Sequence, residues 1–233
     1  MKLVKVIGFD ADDTLWANGS YFMEAETSFC ELLSEYMPES ILSEEIFRTE
    51  MKNMELYGYG AMAYTLSLIE TAIRISRGQV TAQVISEILD IGRSLLNRPI
   101  ELLPGVKELL PLLQEKYRLI VVTKGDLLDQ ERKLEKSGLL PFFHHIEVVS
   151  EKRESNYFNL IKTLNISPAE FLMVGNSLKF DVLPVLAIGG KAIHVPFQSV
   201  WQHESAQKPN TPYVEIASLS ELPGVLSIHG ERL

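Results

Sequence analysis

Several things are scarce in this sequence, and each scarcity narrows what the chain can be. Cys30 is the only cysteine. That excludes an intramolecular disulfide and any zinc site built from several thiolates, and it fits a reducing, cytoplasmic setting. Positive charge is also short, with 22 Lys and Arg against 31 Asp and Glu and a net charge of −9. A binder of phosphate backbones usually carries a basic patch, so nucleic acid is not an expected partner. Any anion site must then be local, made from a few cations, backbone amides or a metal. No apolar run approaches the roughly eighteen residues of a membrane span, so no membrane partner is expected. Lys5 and Asp10 leave no signal-peptide core near the start. The five histidines lack metal-ligand spacing: His144 and His145 are neighbours, and His194, His203 and His229 are scattered. We read them as structural or exposed, and Cys30, inside the helix-like "YFMEAETSFCELLSEYM", as core.

What is present has a clear rhythm. Five short segments rich in β-branched residues read as buried parallel strands: 3–9, 118–123, 146–150, 171–175 and 191–195. Helix-like stretches at 126–139, 156–167 and 177–190 separate the later ones, and "PYVEIASLSELPGVL" reads as a last short strand and helix. This alternation predicts an α/β fold with a Rossmann-like parallel sheet and right-handed crossovers. From the second strand on, a new strand begins every 20 to 28 residues, but about 115 residues separate the first two. The excess, 18–97, has no convincing strand and reads as an inserted all-α unit of four helices, with Ser43 and Thr81 as N-caps. The predicted domains are therefore 1–17 with 98–233 as the α/β core, and 18–97 as the helical insert. Gly19, Pro99 and Pro104 mark hinges near 17–20 and 97–104, and 197–212 reads as a loop.

In open parallel sheets, ligands bind beyond the carboxyl ends of the strands. The first strand ends in "FDADDTLW", which sets Asp10, Asp12 and Asp13 within four residues. Such like charges need either solvent or something positive beside them. The second strand ends in Thr123, Lys124 and Gly125. The third runs into Lys152, and the fourth into Asn176 with Asp181 five residues on. Acids, a hydroxyl, a cation and another acid converging from four segments suit phosphoryl transfer to a carboxylate, for which aspartate is a competent nucleophile. A divalent cation such as Mg²⁺ would neutralise both partners. A hydroxyl, a lysine and amides would hold the phosphoryl oxygens, and a second carboxylate would move protons.

The four stretches "DADDTL", "VVTKG", Lys152 and "GNSLKFD" resemble, in order and at comparable strand ends, the four motifs of the haloacid dehalogenase superfamily. The helical insert resembles that family's first-position (C1) cap. The resemblance implies Asp10 as nucleophile and metal ligand, and Asp12 as general acid/base with its backbone carbonyl on Mg²⁺. It implies Thr123 and Lys152 as phosphoryl binders beside Lys124 and Gly125, and Asp181 as a metal ligand. Thr14 falls where the family orients the turn after the nucleophile. There are departures. Asp13 stands where glycine or another small residue is common, and we read it as a turn-forming side chain. Asn176 replaces a common aspartate; it can still ligate, but with one charge fewer. Arg153 follows Lys152 where proline is frequent. Lys179 reads as a residue beside the site or at the surface rather than as the phosphate anchor.

Asp12 selects among reactions. Dehalogenases and phosphonatases carry a non-acidic residue at that position, so its presence favours phosphate-ester hydrolysis. Phosphonatases also use a cap lysine, but Lys52 reads as a solvated helix face. A sugar phosphomutase shares the core motifs, and a non-catalytic phosphate-binding module would keep the fold alone. The expected partner is a small phosphorylated metabolite, and the expected assembly a monomer or homodimer. Trp16, Tyr21, Phe22, Tyr57, Tyr59 and Tyr64 are candidates to face substrate or to pack between cap and core.

Overall fold

The structure, a computed structural model, describes residues 4–197, 202–204, 208 and 213–228. His229 and most of the stretch read as a loop over 197–212 lie outside the described residues. The chain divides into two compact units: Met1–Gly19, Ile100–Lys124 and Gln130–Leu233 form one, and Ser20–Pro99 with Gly125–Asp129 the other.

The first unit is an α/β layer structure around a six-stranded parallel sheet. Its strands are β1 (Val6–Phe9), β2 (Arg118–Lys124), β3 (His145–Val149), β4 (Phe171–Gly175), β5 (Lys191–His194) and β6 (Val214–Glu215), in the order β3-β2-β1-β4-β5-β6. Phe9 is level with Val121 on one side and Val174 on the other, so the carboxyl ends of the three central strands open at one edge. The chain lays β2 and β3 to one side of β1 and then crosses to β4 on the other. That reversal leaves a crevice between β1 and β4, where such sheets bind ligands.

Side chains alternate across the sheet and serve two cores. Ile7, Phe9, Val121 and Val174 pack with Leu109, Leu110 and Leu113 of α5 (Val106–Gln114) and Leu134 of α6 (Leu127–Ser137). Val6, Ile120 and Met173 pack on the other face with Tyr157, Leu160 and Ile161 of α7 (Glu154–Thr163). Gly8 leaves room there for the Phe171 ring, since a Cβ would stand 2.9 Å from it. The chain closes with α8 (Leu183–Ala187) and α9 (Leu222–Ile228). Helix α5 was not anticipated. Pro111 inside it removes a backbone donor, and the helix holds because three of its leucines are buried.

The second unit holds α1 (Gly19–Leu32, its first residue belonging to the other unit), α2 (Glu39–Tyr57), α3 (Ala61–Ile75) and α4 (Ala82–Asn97). Its core gathers Phe29, Leu33, Leu42, Ile46, Leu68 and Ile88, and Cys30 is buried among them. Thr81 caps α4 by accepting the Val84 amide at 3.2 Å. Ser43 is a correction: α2 starts four residues earlier, directly after Pro38, so Ser43 lies inside the helix. Proline fixes the extended entry and Glu39 favours the positive end of the helix dipole, so no capping side chain is required. Among the described residues, no helix is long and apolar enough to cross a membrane.

Gly92 of α4 carries a testable consequence. A Cβ there would stand 2.1 Å from Thr65 Oγ1, whose hydroxyl is tied to the Ala61 carbonyl at 2.6 Å. Alanine gains about 1 kcal/mol of helix propensity, whereas overpacking against a stiff β-branched neighbour costs about 1–3 kcal/mol. Gly92→Ala is expected to destabilise the protein by up to about 2 kcal/mol in urea unfolding. Adding Thr65→Ala should recover most of that loss.

Candidate active site

Asp10 is the first residue after β1, anchored by its amide to the Val174 carbonyl at 2.9 Å, and it is only 7% exposed. Thr14 Oγ1 donates to Asp10 Oδ2 at 3.2 Å and accepts the Asn176 amide at 3.1 Å, so it ties the turn after β1 to the end of β4. Lys152, past the end of β3, directs its ammonium at Asp10 Oδ1 and at Asp181 Oδ1, the latter at 2.6 Å. Asp181 sits on a π-helical turn (Leu178–Val182), and its Oδ2 accepts the Ser177 amide at 3.0 Å. The absence of a side chain at Gly175 makes room for it, because a Cβ would lie 2.3 Å from that oxygen. His194 braces the same corner, with one ring nitrogen 2.9 Å from the Asn176 carbonyl and the other 2.9 Å from Glu215.

Three of the sequence-selected charged residues thus meet in one buried cluster with unequal charge. Burial alone would strip the proton from Lys152, but the charges of Asp10 and Asp181 outweigh it and hold the ammonium well above the usual lysine range. Asp10 goes the other way from an ordinary carboxylate. Burial pushes it up to about 7, opposed by Lys152 and reinforced by Asp181. The asymmetry is physical: the lysine faces two anions, whereas each anion has half a lysine.

Asp12 lies apart from this cluster. Its carboxylate accepts from Trp16 Nε1 at 2.7 Å, from Gln130 Nε2 at 3.1 Å and from Lys133 Nζ at 3.0 and 3.2 Å. Asp13 has a left-handed backbone, φ 59°, and its carboxylate accepts the amides of Asn18 and Gly19. Burial raises it to about 6 against those two bonds. Asp13 is therefore a turn residue, in a conformation that Asp tolerates better than most side chains. Thr123 is buried and accepts from Gln130 Nε2 at 2.6 Å. Lys124 turns its ammonium to Glu204 at 3.1 Å and over the Phe180 ring at 3.3 Å. Gly125 takes a φ of 140°, which favours glycine. Lys179 donates to the His203 carbonyl at 2.8 Å, and Lys52 pairs with Glu70 on an exposed helix face.

Of the six aromatics, Trp16 is buried with its indole on Asp12, Phe22 and Tyr64 pack edge to face at 5.2 Å, and Arg98 covers the Tyr21 ring. Gln130 and Lys133 escaped the sequence reading. Their signal was there, since they are three apart and so share one face of the helix that follows Thr123.

The donor set suits a hard cation. Asp10, Asp181 and Asn176 offer oxygens, Ser177 Oγ is buried with no partner among the described residues, and the cluster holds more negative than positive charge. Among the described residues, no three acidic, histidine or cysteine side chains are grouped to hold a metal. A set in which Asp12 contributes its backbone carbonyl requires only two carboxylates.

Comparison with known proteins agrees with this geometry. The haloacid dehalogenase-like hydrolase family matches residues 4–189. A solved haloacid dehalogenase-like family hydrolase from Xanthomonas campestris is 37% identical, with a TM-score of 0.87 over 97% of this chain and 91% of that one. The N-acylneuraminate-9-phosphatase of Mus musculus is 30% identical over 130 residues, 52% of this chain. That match spans only about half the length of the mouse protein, 50%. The Bacillus subtilis HAD-hydrolase YfnB, solved with magnesium bound, has a TM-score of 0.70 at 19% identity over 97% of this chain and all of that one; at that identity the likeness speaks to the fold alone.

The raised Asp10 has a stability consequence whose sign is fixed. Between about pH 4 and 7 the folded protein holds a proton on Asp10 that the unfolded chain releases, so this group weakens folding as pH rises through that window. Asp10→Asn is expected to stabilise the metal-free protein at pH 8 by roughly 2–4 kcal/mol, each tenfold change in acidity being worth about 1.4 kcal/mol. The gain should vanish below about pH 4. Thermal melts of both proteins across pH check this.

Proposed function

The chain belongs to the haloacid dehalogenase-like hydrolases, and we propose that within them it is a Mg²⁺-dependent phosphatase, cleaving a small-molecule phosphate monoester through an aspartyl-phosphate on Asp10. Asp12 carries the reading. It is an acid two residues after the nucleophile, held by donors on three sides, where chemistry that expels halide needs no acid. The phosphatase name of the mouse relative supports it.

In this reading Asp10 attacks phosphorus, and Asp12 protonates the leaving alkoxide. Asp12 then takes a proton from the water that hydrolyses the phosphoenzyme. Lys152 orients Asp10 and meets the charge that develops on the phosphoryl oxygens, with Thr123 and the backbone at Lys124 and Gly125 as further donors. Asp10, Asp181, the Asp12 carbonyl and Asn176 would hold Mg²⁺, which when bound offsets the charge of nucleophile and phosphate together. We read the helical unit as the cap that carries substrate choice. The protein would act in the cytoplasm, as a monomer or homodimer, on a small phosphorylated metabolite.

Hydrolysis of an aryl phosphate should appear with Mg²⁺ and disappear with a chelator. Asp10→Asn should lower kcat at least about a thousandfold. A wild-type protein inactive across a broad panel of phosphate esters would overturn the proposal.

A further inference from the structure

The helical unit holds polar groups that its own fold does not use. Tyr64 of α3 is 5% exposed, and its hydroxyl has no hydrogen-bond partner among the described residues. A phenol taken out of water ordinarily finds one, so this hydroxyl calls for an explanation. The charges that act on it come first from Glu50 on α2 and then from Glu26 on α1, both half-buried. The three helices share the apolar core around Phe29, Ile46 and Leu68. Burial lifts Glu50 to about 8 and Glu26 adds to the rise, with no cation or donor among the described residues to oppose them. Other acids of the unit are answered, Glu45 by Arg74 and Glu70 by Lys52. Two acids from two helices and a buried, unpartnered hydroxyl from a third are thus left over together.

Their chemistry specifies an occupant. Carboxylates and a phenol oxygen are acceptors, the charge is negative, and the Phe22 ring packs edge to face on Tyr64 at 5.2 Å. A protonated primary amine brings three N–H donors, no acceptor and one positive charge, and aromatic rings attract it as well. A hard divalent cation fits worse. It takes about six oxygen ligands, and no three acidic, histidine or cysteine side chains among the described residues are grouped to hold one. A neutral hydroxyl compound would leave the excess charge unanswered. We infer that Glu26, Glu50 and Tyr64 form a site within the helical unit for a protonated primary amine. That amine has two sources, a free alkylamine or an amino group carried by the phosphate ester itself. Only the second rests on the phosphatase reading.

Ethylammonium is the probe, titrated calorimetrically into the whole protein near about pH 8.5, where Glu50 is largely ionised and the amine still charged. Saturable binding is expected, and tetramethylammonium, which has the charge without a donor, should bind at least about tenfold more weakly. Glu50→Gln should weaken ethylammonium at least about tenfold and Tyr64→Phe about fivefold. Each substitution keeps the shape of the side chain and removes only a charge or an unpartnered hydroxyl, so the fold is retained. With Mg²⁺ present, 2-aminoethyl phosphate and ethyl phosphate separate the sources. A kcat/KM at least about tenfold higher for the aminated ester, lost in Glu50→Gln, assigns the amine to the substrate. Equal values beside saturable ethylammonium binding assign it to a free ligand. No saturable binding together with no preference for the aminated ester would overturn the site. So would binding and preference unchanged in both Glu50→Gln and Tyr64→Phe. A wild type inactive on every phosphate ester would overturn the phosphatase reading alone, since ethylammonium binding is read without turnover.

Discussion

One ammonium group organises the α/β unit's functional edge. Lys152 arrives from the end of β3, Asp10 from the end of β1 and Asp181 from the turn after β4, and the three charges meet where none is more than a tenth exposed. Removing the ammonium would leave two buried carboxylates without a counter-charge, a loss of about 3–5 kcal/mol. The cluster therefore exists only if the strands are in register. Phe9 opposite Val121 and Val174 sets the heights of two of those ends, and the pairing of Thr123 with Val148 sets the third. The small residues around the cluster follow from the same demand. Gly175 has no side chain because Asp181 fills that space, and Thr14 crosses from one strand end to the other because Asp10 must be held still.

The cluster is unfinished as a piece of electrostatics. Two carboxylates share one lysine, and burial lifts Asp10 to about 7 instead of letting the ion pair depress it. A site evolved only for stability would have little use for the second carboxylate, since hydrophobic replacements of buried ion pairs are often neutral or better. Excess anion next to a Ser177 hydroxyl with no partner among the described residues is what a site receiving a cation would contain.

The fold was legible because parallel strands buried on both faces show as short apolar runs, and because the insertion stretched one crossover far beyond the others. Every strand of the central sheet was found to within a few residues. Helix α5 was not anticipated; Pro111 interrupts its backbone bonding, and burial of its leucines against the sheet outweighs that. The start of α2 was misplaced because a serine was preferred to a proline as the sign of a helix beginning. The meeting of Asp10, Lys152 and Asp181 could be anticipated because charge at the end of an apolar strand has few explanations. Gln130 and Lys133 were not, because polar residues on a helix are ordinarily solvated. That they turn inward is decided by the sheet order, which sets β2 beside β1 and carries the helix after Thr123 to Asp12.

Two carboxylates two residues apart can divide the labour of acid and nucleophile only if their surroundings differ. Here each has its own lysine. Lys152 serves Asp10 in a nearly dry cluster that it shares with Asp181, whereas Lys133 pairs with Asp12 and also reaches Asn18, at a rim where the aspartate side chain is 24% exposed. The first arrangement makes the charge of Asp10 costly, and burial lifts its carboxyl to about 7. The second sets donors against the Asp12 carboxylate while leaving it within reach of water. Asp13, directly after Asp12, turns the chain: its left-handed backbone and its grip on the Asn18 and Gly19 amides bend the segment away from the strand. The three acids crowded at the end of β1 are tolerated because each is answered by a different partner, and only one of them is left in want of charge.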